Sequence, residues 1–405
     1  MYTMTHPAEV ASLAKWAQKT RRSPLQEMLF AAAKPDIISF AMGLPAPELF
    51  PVEGLMRASE QVLANDSRAL QYGPPFMPLK SQIVRLMAKR NVICREEQIF
   101  ITTGAQQGMN LLARLLLDPG GSVLTERLIY TGFKQVIDPY EPQVLSVSTD
   151  PKTGIDVAAV ASLLARGARP AFIYAISGGH NPLAVSLTEA KRSQLVELAR
   201  QYRIPIIEDD PYGFLYYGDA ALPPLRAYDD QWVLYVGSFS KILMPALRVG
   251  WLVVPESLMP KVSVVKEASD IDTNTFTQRL IASFLELEDI NAHLSMLRRE
   301  YRVRRDVMAQ ALREHFPADA KWESPDHGIF FWVELPHGMD AQTLLASALK
   351  KERVAFIPGQ AFNVELSNEA ANCMRLNYSH SHPELIREGI ARLGRLTGEA
   401  LNRKI

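Results

Sequence analysis

From about Phe100 onward, short apolar runs alternate with longer stretches in which apolar residues recur every three or four positions. Runs of four to eight apolar residues bounded by turn formers read as buried strands, and the longer periodicity reads as helices with one buried face. Strands are expected at Phe100–Thr102, Ser122–Glu126, Gln143–Val147, Ala171–Ile176, Ile204–Glu208, Trp232–Gly237 and Val249–Val254. Helices are expected between several of them, for example at Gln106–Leu117 and Thr188–Arg200. This alternation predicts an α/β fold: a mostly parallel sheet with helices on both faces, binding ligands at the carboxyl ends of its strands.

After Ser263 the pattern changes to long helical periodicities over Ser269–Leu287 and Ile290–Phe316. A strand-rich module follows (Phe330–Glu334, Val354–Ile357, Cys373–Asn377), then a terminal helix from Pro383. The expected division is an N-terminal arm and small-domain segment over residues 1–55, a large α/β domain over 56–285, and a smaller C-terminal α+β domain over 286–405. No internal repeat or low-complexity tract is visible.

Composition narrows the class. With 405 residues the chain exceeds one small core. Hydrophobic content of 47% and charged content of 22% describe an ordinary globular protein. Lys+Arg and Asp+Glu balance at 44 each, which argues against nucleic acid or an anionic membrane as partner. Two cysteines, Cys94 and Cys373, are too few for a disulfide framework. The first 25 residues lack the apolar core of a secretory signal, and no apolar run reaches the roughly 18–20 residues needed to span a bilayer. A cytoplasmic enzyme is the expectation.

The chemistry concentrates at the ends of the expected strands. Lys241 lies in Gly237-Ser238-Phe239-Ser240-Lys241, after an apolar run, with Arg248 seven positions on. A lysine among hydroxyls and an arginine can form a Schiff base with an aldehyde while its neighbours hold a phosphate. Thr102-Thr103-Gly104-Ala105-Gln106-Gln107-Gly108 joins a strand to a helix, where free N–H groups and the helix dipole attract an anion. The same sequence also serves simply to cap a helix. With Ser238, Ser240 and Arg248 it becomes one wall of a phosphate cup, the guanidinium supplying a fork that lysine lacks.

Glu208-Asp209-Asp210-Pro211-Tyr212-Gly213 follows another apolar strand. Acidic residues there commonly cap a helix, but one buried carboxylate can hold a pyridinium N–H. Asp209 is the choice for that role, with Tyr212 reaching the ring's phenolic oxygen. Asn181, in Gly178-Gly179-His180-Asn181-Pro182, follows a strand too and can donate to the same oxygen, although an Asn-Pro pair also marks a plain turn. His180 reads as a loop residue. Arg375 sits inside the apolar run Met374–Asn377, either in a salt bridge or as a bidentate clamp on a substrate carboxylate. No metal-ligand spacing of Cys or His occurs.

Taken in order, these motifs resemble the fold-type I pyridoxal-phosphate aminotransferases of class I/II, most closely the 2-aminoadipate, kynurenine and broad-specificity aromatic branch. The resemblance runs from about Pro35 and includes Ser39–Pro51, Leu70–Gly73, Glu208–Gly213, Ser238–Lys241, Val354–Gly359 and Met374–Ser379. It implies pyridoxal 5'-phosphate as cofactor, an amino acid and a 2-oxo acid as substrates, and a homodimer with a shared active site. It implies that Lys241 carries the cofactor and shuttles the proton, and that Asp209 binds the ring nitrogen. Asn181 and Tyr212 are then at the ring oxygen, and Tyr130 stacks on the ring. Gly104, Ala105, Gln106, Ser238, Ser240 and Arg248 surround the phosphate, with Tyr72 reaching the phosphate of the neighbouring subunit. Arg375 and Asn181 hold the substrate carboxylate, with Gly43 lining the pocket.

The chain departs from the pattern in places. Asn181-Pro182-Leu183-Ala184 stands for the usual Asn-Pro-Thr-Gly, and no proline precedes Tyr130. Met77 replaces a glycine and is expected to crowd the active-site entrance. Gln26 stands where members that handle acidic substrates carry an arginine. A lyase, cyclase or oxidase on the same scaffold is the alternative reaction. The ligand-sensing module of a transcription regulator is the alternative class, although only about 35 residues precede the resemblance.

Overall fold

The structure, a computed structural model, describes residues 12–18, 36–365 and 367–402. Gln26 and the start of the resemblance at Pro35 lie outside the described residues. Seven strands form the central sheet: β1 (Ile99–Thr102), β2 (Ser122–Glu126), β3 (Gln143–Val147), β4 (Ile173–Ala175), β5 (Ile206–Asp209), β6 (Val233–Ser238) and β7 (Gly250–Val253). Their order is β1-β7-β6-β5-β4-β2-β3, parallel except for β7, which runs antiparallel to both neighbours.

Both faces of this sheet are buried, which is why its strands read as unbroken apolar runs. Ile173, Ile206 and Val233 enter one core with Leu124, Val160 and Leu195. Their chain neighbours Tyr174, Ile207 and Leu234 enter the opposite core with Phe133, Phe172 and Leu252. Adjacent side chains of a strand point to opposite faces, so each run feeds two layers. Helix α1 (Ala105–Leu116) belongs to the second core and α2 (Glu189–Tyr202) to the first.

One expected helix divides in two. The periodicity over Ser269–Leu287 is broken between α3 (Met259–Asp270) and α4 (Thr275–Leu287). Ile271 adopts a φ of 66°, and the Asn274 side chain accepts the N–H of Thr277 to start the second helix. A side-chain cap of this kind outweighs apolar spacing that would otherwise continue across the gap.

Beyond it, α5 (Ile290–His315) packs along the terminal helix α6 (Pro383–Asn402). Against them lies a three-stranded antiparallel sheet, with β10 (Cys373–Asn377) between β8 (Phe330–Glu334) and β9 (Ile357–Pro358). Ile38–Ser39 pairs in parallel with Val354–Ala355, tying the N-terminal segment to this part of the molecule. Among the described residues no helix is long and apolar enough to cross a membrane.

Candidate active site

The sheet's hydrogen-bond register gathers the expected side chains along one edge. Strands β4, β5 and β6 run parallel, so the segments leaving them (Ser177–Asn181, Asp209–Tyr212, Phe239–Lys241) emerge together. Because β7 is antiparallel, its first residue, Gly250, pairs with Thr102 on one side and Ser238 on the other. Arg248 and the Thr103–Ala105 turn therefore reach the same edge.

A cavity of about 290 Å³ lies there. Its walls include Gly43, Ala105, Gln106, Tyr130, Asn181, Asp209, Tyr212, Ser238, Ser240, Lys241, Arg248 and Arg375. A larger, open cleft of about 690 Å³ adjoins the turn after Asn181, lined in part by Leu183, Trp322 and Trp332. None of the expected side chains lines it, so the smaller cavity is the site.

Two expected residues stand outside that lining. Gly104 lies behind it, with φ at 81°, and a Cβ there would come within 2.6 Å of Arg248 Nη2. A glycine is required for the backbone to pass beneath the guanidinium. Tyr72 is 79% exposed on the surface of the protomer. Met77, expected to crowd the entrance, is likewise a surface residue, 47% exposed at the first turn of Met77–Ala88. Its place at the exposed start of a helix keeps it out of the cavity of its own protomer.

The three consecutive acids have separate fates. Glu208 accepts the N–H groups of Leu225 and Arg226 and the Ser177 hydroxyl. Asp210 pairs with the buried Arg90 at 3.1 Å and accepts the Tyr235 hydroxyl. Asp209 alone faces the cavity. Its Oδ2 accepts the Tyr174 hydroxyl at 2.8 Å, while its Oδ1 is buried without a partner. Burial pushes this carboxyl up to about 7, against the pull of the Tyr174 hydroxyl.

Lys241 donates to the Gly43 carbonyl at 2.7 Å. Burial, aided by Arg375 and Arg248, lowers its amine to about 8. Arg248 is held in a left-handed conformation, φ 52°, a strained state for a side chain of this size. Arg375 projects from β10, with Nη1 donating to Asn181 Oδ1 and Nη2 to the Ala41 carbonyl, each at 2.6 Å. The Phe330 ring lies beneath it, 4.0 Å from guanidinium carbon to ring centroid. Nε has no partner, and burial lowers the group to about 10. Burial likewise raises the Tyr130 and Tyr212 hydroxyls above their ordinary range.

A guanidinium with no carboxylate of its own among the described residues, a lysine whose charge burial disfavours and an unpaired carboxylate oxygen thus share one cavity. Residues 35–393 match the family model for aminotransferase class I and II. The chain belongs to this family. Aromatic-amino-acid aminotransferase 1 of Thermococcus litoralis is 35% identical to it, over 95% of this chain and 93% of that protein. The 2-aminoadipate transaminase of Thermus thermophilus is 36% identical, over 94% and 95% respectively. The α-aminoadipate aminotransferase of Thermus thermophilus, solved with N-(5'-phosphopyridoxyl)-L-leucine, superposes with a TM-score of 0.90. That match has 34% identity and covers 96% of this chain and 98% of the other.

The fold is therefore that of the fold-type I transferases, the protein is an aminotransferase, and its cofactor is pyridoxal phosphate. The residues of this aminotransferase fit that group on their own evidence. The orphaned Oδ1 of Asp209 requires a donor, which a protonated ring nitrogen supplies. At the opposite end, the uncapped N-terminus of α1 joins Ser238, Ser240 and Arg248 to make a site for a dianion.

Sequence reasoning missed Tyr174 and Phe330, and it left His180 in a loop. Tyr174 is one more apolar-looking strand residue until the sheet pairing sets it beside Asp209. Phe330 meets Arg375 only across two strands. His180 is buried beside Asn181.

Proposed function

We propose that the protein moves the amino group of an L-amino acid with an aromatic or aliphatic side chain to a 2-oxo acid such as 2-oxoglutarate. The observation that carries this reading is the meeting of Lys241, the unpaired Asp209 oxygen and the Arg375 clamp in one cavity.

In this reading Arg375 binds the substrate α-carboxylate through its remaining N–H groups, oriented by Asn181 and Ala41. When bound, pyridoxal phosphate supplies an aldehyde carbon for the amino group and a ring that accepts the electron pair left at the substrate α-carbon. Asp209 would hold the ring nitrogen's proton, and Tyr212 and Asn181 would orient the ring oxygen. Tyr130 would lie against the ring, while Ala105, Gln106, Ser238, Ser240 and Arg248 would hold the phosphate. The Lys241 amine, about half neutral at pH 8, would take the proton from the α-carbon and return it two atoms along, at the former aldehyde carbon.

Met42, Leu44, Met109, Ile176, Pro211 and Phe330 line the rest of the cavity. Among its described lining residues the cations are Lys241, Arg248 and Arg375, all engaged in this scheme. That supports an apolar substrate side chain over one with a second carboxylate. The names of the relatives, which include both aromatic and 2-aminoadipate enzymes, support the amino-acid class and leave both side-chain types to experiment.

We also propose a homodimer, to which Tyr72 contributes at the neighbour's phosphate site, and a cytoplasmic location, consistent with two buried free thiols. We keep the division at residues 1–55, 56–285 and 286–405, supported by the pairing of Ile38–Ser39 with Val354–Ala355.

Incubation of the loaded enzyme with phenylalanine, leucine or 2-aminoadipate plus 2-oxoglutarate tests this reading. Stoichiometric glutamate from the first two donors is expected. Ammonia released without need of the oxo acid would contradict it in favour of a lyase.

A further inference from the structure

His180 is a titratable side chain that the reaction scheme leaves unused, yet it is 1% exposed and sits beside Asn181. Its Nδ1 accepts the N–H of Leu183 at 3.3 Å, so the ring proton resides on Nε2. Nε2 lies 2.9 Å from Oε2 of Glu126, itself 2% exposed at the end of β2. The approach is oblique to the N–H direction, an ion–dipole contact more than a linear hydrogen bond. The other oxygen of Glu126 accepts the Thr149 hydroxyl at 2.6 Å, which fixes the carboxylate.

The backbone completes the clamp. The His180 N–H donates to the Val185 carbonyl at 2.8 Å, and its carbonyl accepts the Ala184 N–H at 2.6 Å. The turn carrying Asn181 is therefore closed on itself by His180 and anchored to the sheet by Glu126. At its tip, Asn181 Oδ1 receives the Arg375 guanidinium at 2.6 Å. An unbroken chain of contacts runs Thr149, Glu126, His180, Asn181, Arg375.

We propose that His180, held by Glu126, is a positioning residue that sets the Asn181 amide against Arg375 and so orients the guanidinium for the substrate carboxylate. This rests on the reading of Arg375 given above. Its consequence is selective. Every substrate of both half-reactions carries the α-carboxylate, so disturbing the chain weakens donor and acceptor binding together and leaves the proton transfer at Lys241 largely intact.

The test uses the cofactor-loaded enzyme and variants His180→Ala, His180→Asn, Glu126→Ala and Arg375→Gln. The readouts are KM for donor and acceptor, kcat, and the calorimetric Kd of 3-phenylpropanoate, a carboxylate without an amine. His180→Ala is expected to raise both KM values and the Kd by about three- to ten-fold, the equivalent of one neutral hydrogen bond, with kcat changed much less. Glu126→Ala changes the same quantities in the same direction. His180→Asn, which keeps a short acceptor for the Leu183 N–H and loses the Glu126 contact, is expected to match Glu126→Ala. If His180→Ala fails to fold, the other two variants carry the comparison.

Unchanged KM and Kd in the His180 and Glu126 variants, alongside raised values in Arg375→Gln, would overturn the positioning role and leave His180 as a stabiliser of the turn. Unchanged values in Arg375→Gln as well would instead overturn the carboxylate reading on which it rests.

Discussion

At the scale of single residues, the site places two ionisable groups against their solution preferences. Burial costs the Asp209 anion and the Lys241 cation their hydration, raising the acid to about 7 and lowering the amine to about 8. The competent forms are the Asp209 anion, which exists above its value, and the neutral Lys241 amine, which exists above its own. Both requirements act in one direction. The rate at which cofactor-free enzyme captures pyridoxal phosphate is therefore expected to rise from pH 6 and level off above about pH 9. Stopped-flow absorbance of colour development measures it. Asp209→Asn removes the lower limb and keeps the upper one; a rate that is flat or falls with pH contradicts both assignments. The Tyr174 hydroxyl supports the anion by occupying Oδ2, which leaves Oδ1 for the ring.

At the scale of elements, the strands were legible because burial on both sheet faces makes them unbroken apolar runs. Lys241, Asp209 and Arg375 were legible because each stands at or within such a strand. The break at Ile271–Asn274 was not: apolar spacing continues across it, and only the capping bond of Asn274 ends one helix and starts the next. His180 was not legible either, since its burial depends on Glu126, more than fifty positions earlier in the chain.

The Asn181–Ala184 turn carries a departure with a measurable cost. Ala184 has a φ of 60° where the family pattern reads glycine. A Cβ in that region is unfavourable by about 1–2 kcal/mol, offset in part by the greater freedom of an unfolded glycine. Ala184→Gly is expected to stabilise the fold by up to about 1 kcal/mol in denaturant titration. A loss of stability would show that the alanine methyl makes packing contacts worth more than the strain.

At the scale of the whole molecule, one feature of the surface bears on assembly. Met56, Leu70, Tyr72, Val264 and Ile271 are all more than 60% exposed on the protomer. Together with the motif that carries Tyr72, they support burial against a second copy. Sedimentation equilibrium is expected to give twice the 45.3 kDa chain mass at micromolar concentration. In a dimer with a shared site, Tyr72→Phe weakens cofactor retention; a monomer with full activity contradicts the shared site. The main cores of the described residues, by contrast, are buried within the protomer.

The chemistry proposed for this site turns on Lys241 as the lysine that carries the cofactor. Borohydride reduction of the loaded enzyme, followed by proteolysis and mass spectrometry, locates that link. A single phosphopyridoxyl mass is expected on the peptide containing Lys241, absent in Lys241→Ala. A label on another lysine, or none on a protein that retains full activity, would contradict it.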